Sequence, residues 1–250
     1  MTLVRALFVV FAILMVPAVS FAIPVPGTPT ADVVVTGLNG PIRLSAIVTP
    51  TTDVTFTAIL DTALLPVPPT LFVIDAEILF NTDPFVQYSL GVTNLALVPT
   101  TFTFFLATPF GGGPYSTLLS SHASNVTDGG PTPNGSVEVT PSGGALIHRP
   151  QINGVETAVG QFGDGCTPSG SPSFSAFCDV GSGSFAIPAV SGPGTLGVTV
   201  AFTLSPGDSY AATGRVEIFD GRGTTGVPEP SAFILGVGVL AGLVYYRRRR

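Results

Sequence analysis

Three stretches of the chain alternate between apolar and polar or small positions. Ile42, Leu44, Ala46 and Val48 stand on one side of Arg43 and Ser45. Val54, Phe56, Ala58 and Leu60 alternate with Thr55 and Thr57, and Val198, Val200, Phe202 and Leu204 with Thr199, Ala201 and Thr203. A period of two is the period of a pleated strand, so each stretch predicts a half-buried antiparallel strand, apolar face inward and threonine face outward. Leu71 to Phe80 and Leu95 to Leu106 are more continuously apolar, as strands in the middle of a two-layer core are. Ser205-Pro206-Gly207-Asp208 separates the strand ending at Leu204 from another running Tyr210 to Phe219, and Gly111–Pro114 and Asp128–Gly135 read as longer loops. Strands at roughly ten-residue spacing with turns between them predict a single all-β domain over about residues 30–222. The expected architecture is an antiparallel β-sandwich, jelly-roll or Ig-like, with Phe56, Phe102, Phe104, Val200 and Phe202 in its core. The Gly-, Ser- and Pro-rich stretch Phe162 to Gly194 is expected to decorate it as a long loop.

The two ends carry different patterns. Arg5 precedes an unbroken apolar run from Ala6 to Val16, Pro17 breaks any helix, and Ser20-Phe21-Ala22 places small side chains at the −3 and −1 positions of a cleavage site. Residues 1–22 are therefore expected to be a signal peptide, with Ile23 as the first mature residue; cleavage after Ser20 and an uncleaved anchor are the alternatives. Eleven apolar residues make only about 16 Å of helix, half a hydrocarbon core. At the other end Val227, Pro228, Glu229 and Pro230 form an extended hexapeptide with Gly226 and Ser231, because the prolines fix φ and remove backbone donors. The apolar stretch 232–246 follows, about 22 Å as a helix, and then Arg247, Arg248, Arg249 and Arg250 end the sequence. Tyr245 and Tyr246 suit an interface, and the arginines snorkel and stay cytoplasmic, which places the body outside. Gly238 and Gly242 form a GxxxG whose spacing is read as chance rather than a packing face. The organisation expected is a signal peptide over 1–22, an extracytoplasmic domain over 23–226, and a C-terminal signal over 227–250 with a transmembrane helix.

This C-terminus, Val227-Pro228-Glu229-Pro230, a short apolar helix and an arginine tail, resembles the PEP-CTERM sorting signal recognised by exosortases. The resemblance covers about 24 residues, with its three parts in order. It implies an exported protein of a Gram-negative type bacterium, cut near the Pro-Glu-Pro segment by a membrane-embedded enzyme after a transient stay in the inner membrane. Signal peptidase and exosortase are then its processing partners, the cell surface or exterior its destination, and exopolysaccharide its surroundings. A plain single-pass anchor is the alternative. Val92-Thr93-Asn94 and Leu204-Ser205-Pro206-Gly207-Asp208 are loosely similar to the bodies of such proteins, and that similarity brings no activity with it.

Composition narrows the function. Only 10% of residues are charged, against 30 Gly and 24 Pro, which suits strands and turns rather than long helices. All nine basic residues are arginine, and between Ile23 and Pro230 four of them face all fifteen acids, a net −11. Such a body repels phosphate, so nucleic-acid binding is excluded. Cys166 and Cys178 are the only cysteines, and in an exported chain the pair predicts a disulfide that closes the Gly/Ser/Pro loop, worth about 3 kcal/mol by chain entropy.

No reaction stands out. Gly192-Pro193-Gly194-Thr195-Leu196-Gly197 matches GxGxxG but precedes a strand, where a dinucleotide site would open a helix, so it reads as a turn. Gly181-Ser182-Gly183-Ser184 is out of register for a nucleophile elbow. His122 and His148, the two histidines, read as solvated loop residues without metal-spaced neighbours. Asp128, Asp164, Asp208 and Asp220 adjoin glycines and have donors Ca²⁺ accepts, but no complete loop pattern surrounds them, and they are read as solvated turn residues. Asn125-Val126-Thr127 and Asn134-Gly135-Ser136 fit a glycosylation sequon and read as ordinary loops. No catalytic residue, metal or cofactor is predicted. The function expected is a non-catalytic surface or matrix protein associated with exopolysaccharide; the alternative is a carbohydrate-binding module or hydrolase acting on that matrix.

Overall fold

The computed structural model describes residues 27–37, 41–52, 55–61, 71–129, 134–143 and 146–220. The predicted leader, the cleavage residues Ser20, Ala22 and Ile23, the motif 227–230, the helix 232–246 and the arginines 247–250 lie outside them. Among the described residues no helix is long and apolar enough to cross a membrane.

Fourteen strands are described: β1 (Thr30–Thr36), β2 (Ile42–Ser45), β3 (Ile47–Pro50), β4 (Thr55–Asp61), β5 (Phe72–Asn81), β6 (Phe85–Asn94), β7 (Thr100–Phe110), β8 (Tyr115–Thr127), β9 (Val139–Pro141), β10 (His148–Ile152), β11 (Val155–Glu156), β12 (Ser175–Val190), β13 (Gly194–Leu204) and β14 (Ser209–Phe219). They form two antiparallel sheets. The first runs β11-β10-β13-β7-β1-β2, with β9 also pairing β13; the second runs β12-β8-β14-β6-β5-β4-β3. The protein is an all-β sandwich, as the alternation predicts.

Burial follows the period-two reading on β1, β5, β6 and β14, but β13 is buried on both faces: Thr199 and Ala201, expected to face outward, are covered, and Gln151 bonds Thr199 at 2.8 Å. Phe102, Phe104, Val200 and Phe202 are fully buried, and Phe56 packs half-buried against the same core. Phe102 and Phe202 stack across the β7–β13 ladder, ring centroids 5.7 Å apart, and Phe202 meets Tyr210 of the opposite sheet at 4.3 Å.

Three further expectations are corrected. The run Ile42 to Val48 is not one strand: β2 pairs β1 in the first sheet and β3 pairs β4 in the second. Ala46 makes the crossing, its N–H bonded to Ala31 O at 2.8 Å, so the apolar side stays inward while the backbone changes partners. Leu95 to Leu106 is not one continuous strand; β7 starts at Thr100, and Leu97 projects into solvent. The supposed loop Phe162 to Gly194 contains the sixteen-residue edge strand β12, which pairs β8 through two register shifts. An edge strand carries little packing on its outer side, so glycine and serine suffice there and the apolar signal disappears.

Candidate functional site

Both histidines lie in strands, not loops. His122 stands in the middle of β8 and His148 opens β10, and both are buried between the sheets with ring centroids 5.5 Å apart. Glycines make the room. Gly181, His122, Gly214 and Tyr88 are directly opposite one another on β12, β8, β14 and β6. A Cβ on Gly214 would fall 2.4 Å from the Tyr88 hydroxyl, and one on Gly181 2.2 Å from the Phe162 ring. The missing side chains let Tyr88 lean across β14 toward His122 and let Phe162 roof the cluster.

The hydrogen bonds can be assigned by counting protons. Ser120 donates its hydroxyl to Gly160 O at 2.7 Å, since a carbonyl only accepts. Toward His148 Nε2, at 2.8 Å, the same oxygen must therefore accept. Neutral His148 then has its lone pair on Nδ1, which takes the Tyr88 O–H at 2.7 Å. With that proton spent, the Tyr88 oxygen accepts from His122 Nδ1–H at 2.9 Å. His122 Nε2 in turn accepts the Tyr210 O–H at 3.3 Å. Ser124, which accepts the Asp179 backbone N–H at 3.2 Å, bonds Tyr210 at the far end. Every donor has one acceptor when both imidazoles are neutral.

Electrostatics agree with that count. Burial lowers the His122 pKa to about 4, and burial together with neighbouring His122 lowers that of His148 well below the ordinary value. Burial raises Tyr88 and Tyr210, so both phenols stay protonated donors. Ser120 and His148 have a nucleophile–base spacing, but both are wholly buried and the serine proton is already committed to a carbonyl. The arrangement joins the sheets and shuts Ser120 and His148 away from solvent.

A second polar cluster closes one end of the sandwich. Asp128 and Asp208, expected as solvated turn residues, are each 1% exposed. They lie just beyond the paired ends of β8 and β14, where Thr127 faces Ser209. The Asp128 carboxylate accepts backbone N–H groups of Asn134, Gly135 and Ser173, tying two loops together. Asp208 accepts from Ser205 and meets Asp128. Burial raises its pKa, and the Asp128 charge adds to the rise against the lowering Ser205 bond. Asn94 completes this end: Nδ2 donates to Leu204 O at 2.9 Å, and its N–H to Asp208 O at 2.9 Å. The two sequence segments at 92–94 and 204–208 are thus one structural unit. Asp164 is exposed, and among the described residues no three His, Cys, Asp or Glu side chains gather as a metal site. Asn125 lies on β8 rather than a loop, and Asn134 is exposed beside the Asp128 knot.

Cys166 and Cys178 are bonded, their Cα atoms 5.5 Å apart. The bond is the one expected, but Cys178 stands on β12, so the bridge pins the 157–174 loop to that strand instead of closing a loop.

The open surface feature is on the outer face of the second sheet. Small residues floor it: Ser89 and Gly91 of β6, Ala211 and Thr213 of β14, Ser121 and Ala123 of β8. Larger side chains make the banks, Asp75, Glu77 and Leu79 of β5 on one side and the exposed Phe177 and Val180 of β12 on the other. A hollow of about 540 Å³ near Gln87 and Arg215 continues through Ala123 and Thr213 into one of about 190 Å³, and through Asn125 and Ala211 into one of about 200 Å³. Measured along β14 from Arg215 to Ser209, the trough is about 20 Å long. Arg215 closes one end, held by Glu217 at 2.8 Å and stacked over Phe85.

The class that this structure defines is an antiparallel two-sheet β-sandwich with an internal disulfide. Compared with known proteins, the chain matches no family model and no curated protein.

Proposed function

We propose that the protein is an exported, exosortase-sorted surface or matrix protein whose body is non-catalytic and lies against exopolysaccharide through the trough on its second sheet. The observation that carries the polysaccharide part is the trough itself. Its floor offers hydroxyls and amides from Ser89, Ser121, Thr213, Gln87 and Asn125, groups that exchange hydrogen bonds with sugar hydroxyls. Asp75 and Glu77 accept from hydroxyl pairs and disfavour anionic chains, and Phe177 and Val180 suit the C–H faces of sugar rings. The two carboxylates stand on one bank, whereas hydrolysis needs carboxyl groups flanking the scissile bond, which supports binding over cleavage. The disulfide fits export to an oxidising compartment. From β6 onward successive strands mostly switch sheets, which favours a jelly-roll-like over an Ig-like reading of the sandwich.

Two measurements test this. Mature protein should co-sediment with a neutral exopolysaccharide, and Ala123→Trp or Ser89→Trp should abolish it while Thr103→Trp, on the other sheet, should not. Equal binding by all three variants, or none by the wild type, would remove the trough from the account, and new reducing ends would turn it into a hydrolase. For sorting, replacing Pro228-Glu229-Pro230 with alanines should leave export intact and trap uncleaved chain in the inner membrane. Processing at the wild-type rate, read by intact mass, would reject the sorting motif.

A further inference from the structure

We propose that the Tyr210–His122–Tyr88–His148–Ser120 chain is an acid-sensitive latch that holds β10 and the 157–163 loop against the second sheet and releases them when both histidines take up a proton. Four of the five side chains belong to the second sheet; His148 alone comes from the first. It stands on β10, which is only five residues long and has on its outer side just the two-residue β11. Ser120 holds Gly160 through the loop carbonyl, and His148 also pairs with Phe162, backbone N to O at 2.8 Å. The segment that the latch holds thus has little sheet around it.

One added proton can be absorbed. If His122 gains Nε2–H, Tyr210 must accept there and turn its own proton to Ser124, whose hydroxyl must then point elsewhere. A proton entering at His148 Nδ1 has the same effect by a longer route, since Tyr88 must reverse toward His122. A second proton cannot be absorbed. Tyr88 would then face an Nδ1–H from each ring, and its own hydroxyl proton would have no acceptor between them. Two adjacent imidazolium rings buried between the sheets also repel, and among the described residues no carboxylate bonds either ring.

The groups that face the pair leave few other candidates for the acid response. β6 contributes Tyr88, β14 Tyr210, and β8 Ser120 and Ser124. The loop contributes the uncharged Phe162 and Gly163, and β13 places Val200 opposite His148. Beyond Tyr210 and Ser124 lies Asp179 of β12, with its carboxylate turned to Gly165 N–H. Arg149, next to His148, points to the opposite face of β10 and pairs with Glu156 at 3.4 Å.

Amide hydrogen exchange of the full exported protein, followed from pH 7.5 to 4 at constant ionic strength and corrected for intrinsic rates, tests the latch. Opening of 148–152 and 157–163 should rise by up to about 100-fold per pH unit below pH 6, the slope of two-proton uptake, while β1 and β7 stay protected. His122→Gln and His148→Gln should each cut that slope to about tenfold per unit, whatever they do to opening at pH 7.5. An unchanged slope in both variants overturns the proposal. Because a variant could fail to fold, the wild type supplies a second readout. If NMR shows both imidazoles titrating near 6.5 with the segment still protected, the latch does not exist.

Discussion

The sandwich contains two buried polar clusters, and they are built on opposite principles. The histidine chain lies mid-core, joins the two sheets, and is satisfied only when its titratable groups are neutral. The Asp128–Asp208 knot lies at one end, ties loops to the ends of β8 and β14, and uses charge: Asp128 holds three backbone N–H groups. Side chain to side chain, the first cluster needs five residues from four strands to agree. The second needs mainly one carboxylate and nearby backbone. Burial acts on both, yet with opposite pH consequences, because it disfavours a cation in the one and an anion in the other.

Removing a member from each should separate them. His148→Ala leaves Tyr88 without an acceptor and Ser120 without a donor in a buried site, and should cost about 3–5 kcal/mol in urea unfolding. A cost below about 1 kcal/mol would mean that the chain is not a joint between the sheets. Asp128→Ala orphans three backbone donors near the surface, where water can partly replace it, and should cost about 2–4 kcal/mol. Its destabilisation should fall on exchange at 134–136 and 173 rather than on β10.

The pH profile sharpens the contrast. The histidines have lowered folded pKa values, so their contribution is complete above the ordinary value near 6.5 and is lost as pH falls from there toward about 4. Two such groups give a slope of up to about 2.7 kcal/mol per pH unit in that window, measurable as a shift in urea midpoint. Asp208 runs the other way: its raised folded pKa contributes stability at low pH that is lost as pH rises through that value. The smallest effect expected is that of Asp208→Asn, which keeps an acceptor for Ser205 and removes the charge. It should raise stability slightly at pH 7 and leave it unchanged near pH 3. A loss that is the same at both values would show that Asp208 acts through shape alone.

Much of the body was legible from one face of each strand. Phe102, Phe104, Val200 and Phe202 are buried because an apolar period of two admits one inward side, and that holds whichever strand lies next door. Pro-Gly chemistry read the turn at 205–208, and the lone cysteine pair read the bridge. The histidine chain escaped it because the inward row of β8, Leu118, Ser120, His122, Ser124 and Val126, is polar at its centre, so β8 shows no alternation. β12 escaped because Gly181 leaves room for Phe162, a role that depends on a residue outside the strand. The only signal that could have marked the site was the pairing of His122 with glycines at 181 and 214, and that is visible only once the register is known.

The sequence by itself determined the class of fold, the apolar core, the turn chemistry and the disulfide, because each depends on local periodicity or on one pair of residues. It also carries the patterns at both ends on which the sorting reading rests. Tertiary structure alone decided that the run 42–48 divides between two sheets, that Asn94 meets 204–208, and that His122 and His148 share Tyr88. The physical reason is that a strand's pattern states which face turns inward but not which strand lies beside it or across the core. A hydrogen-bond chain between sheets is made of those neighbours.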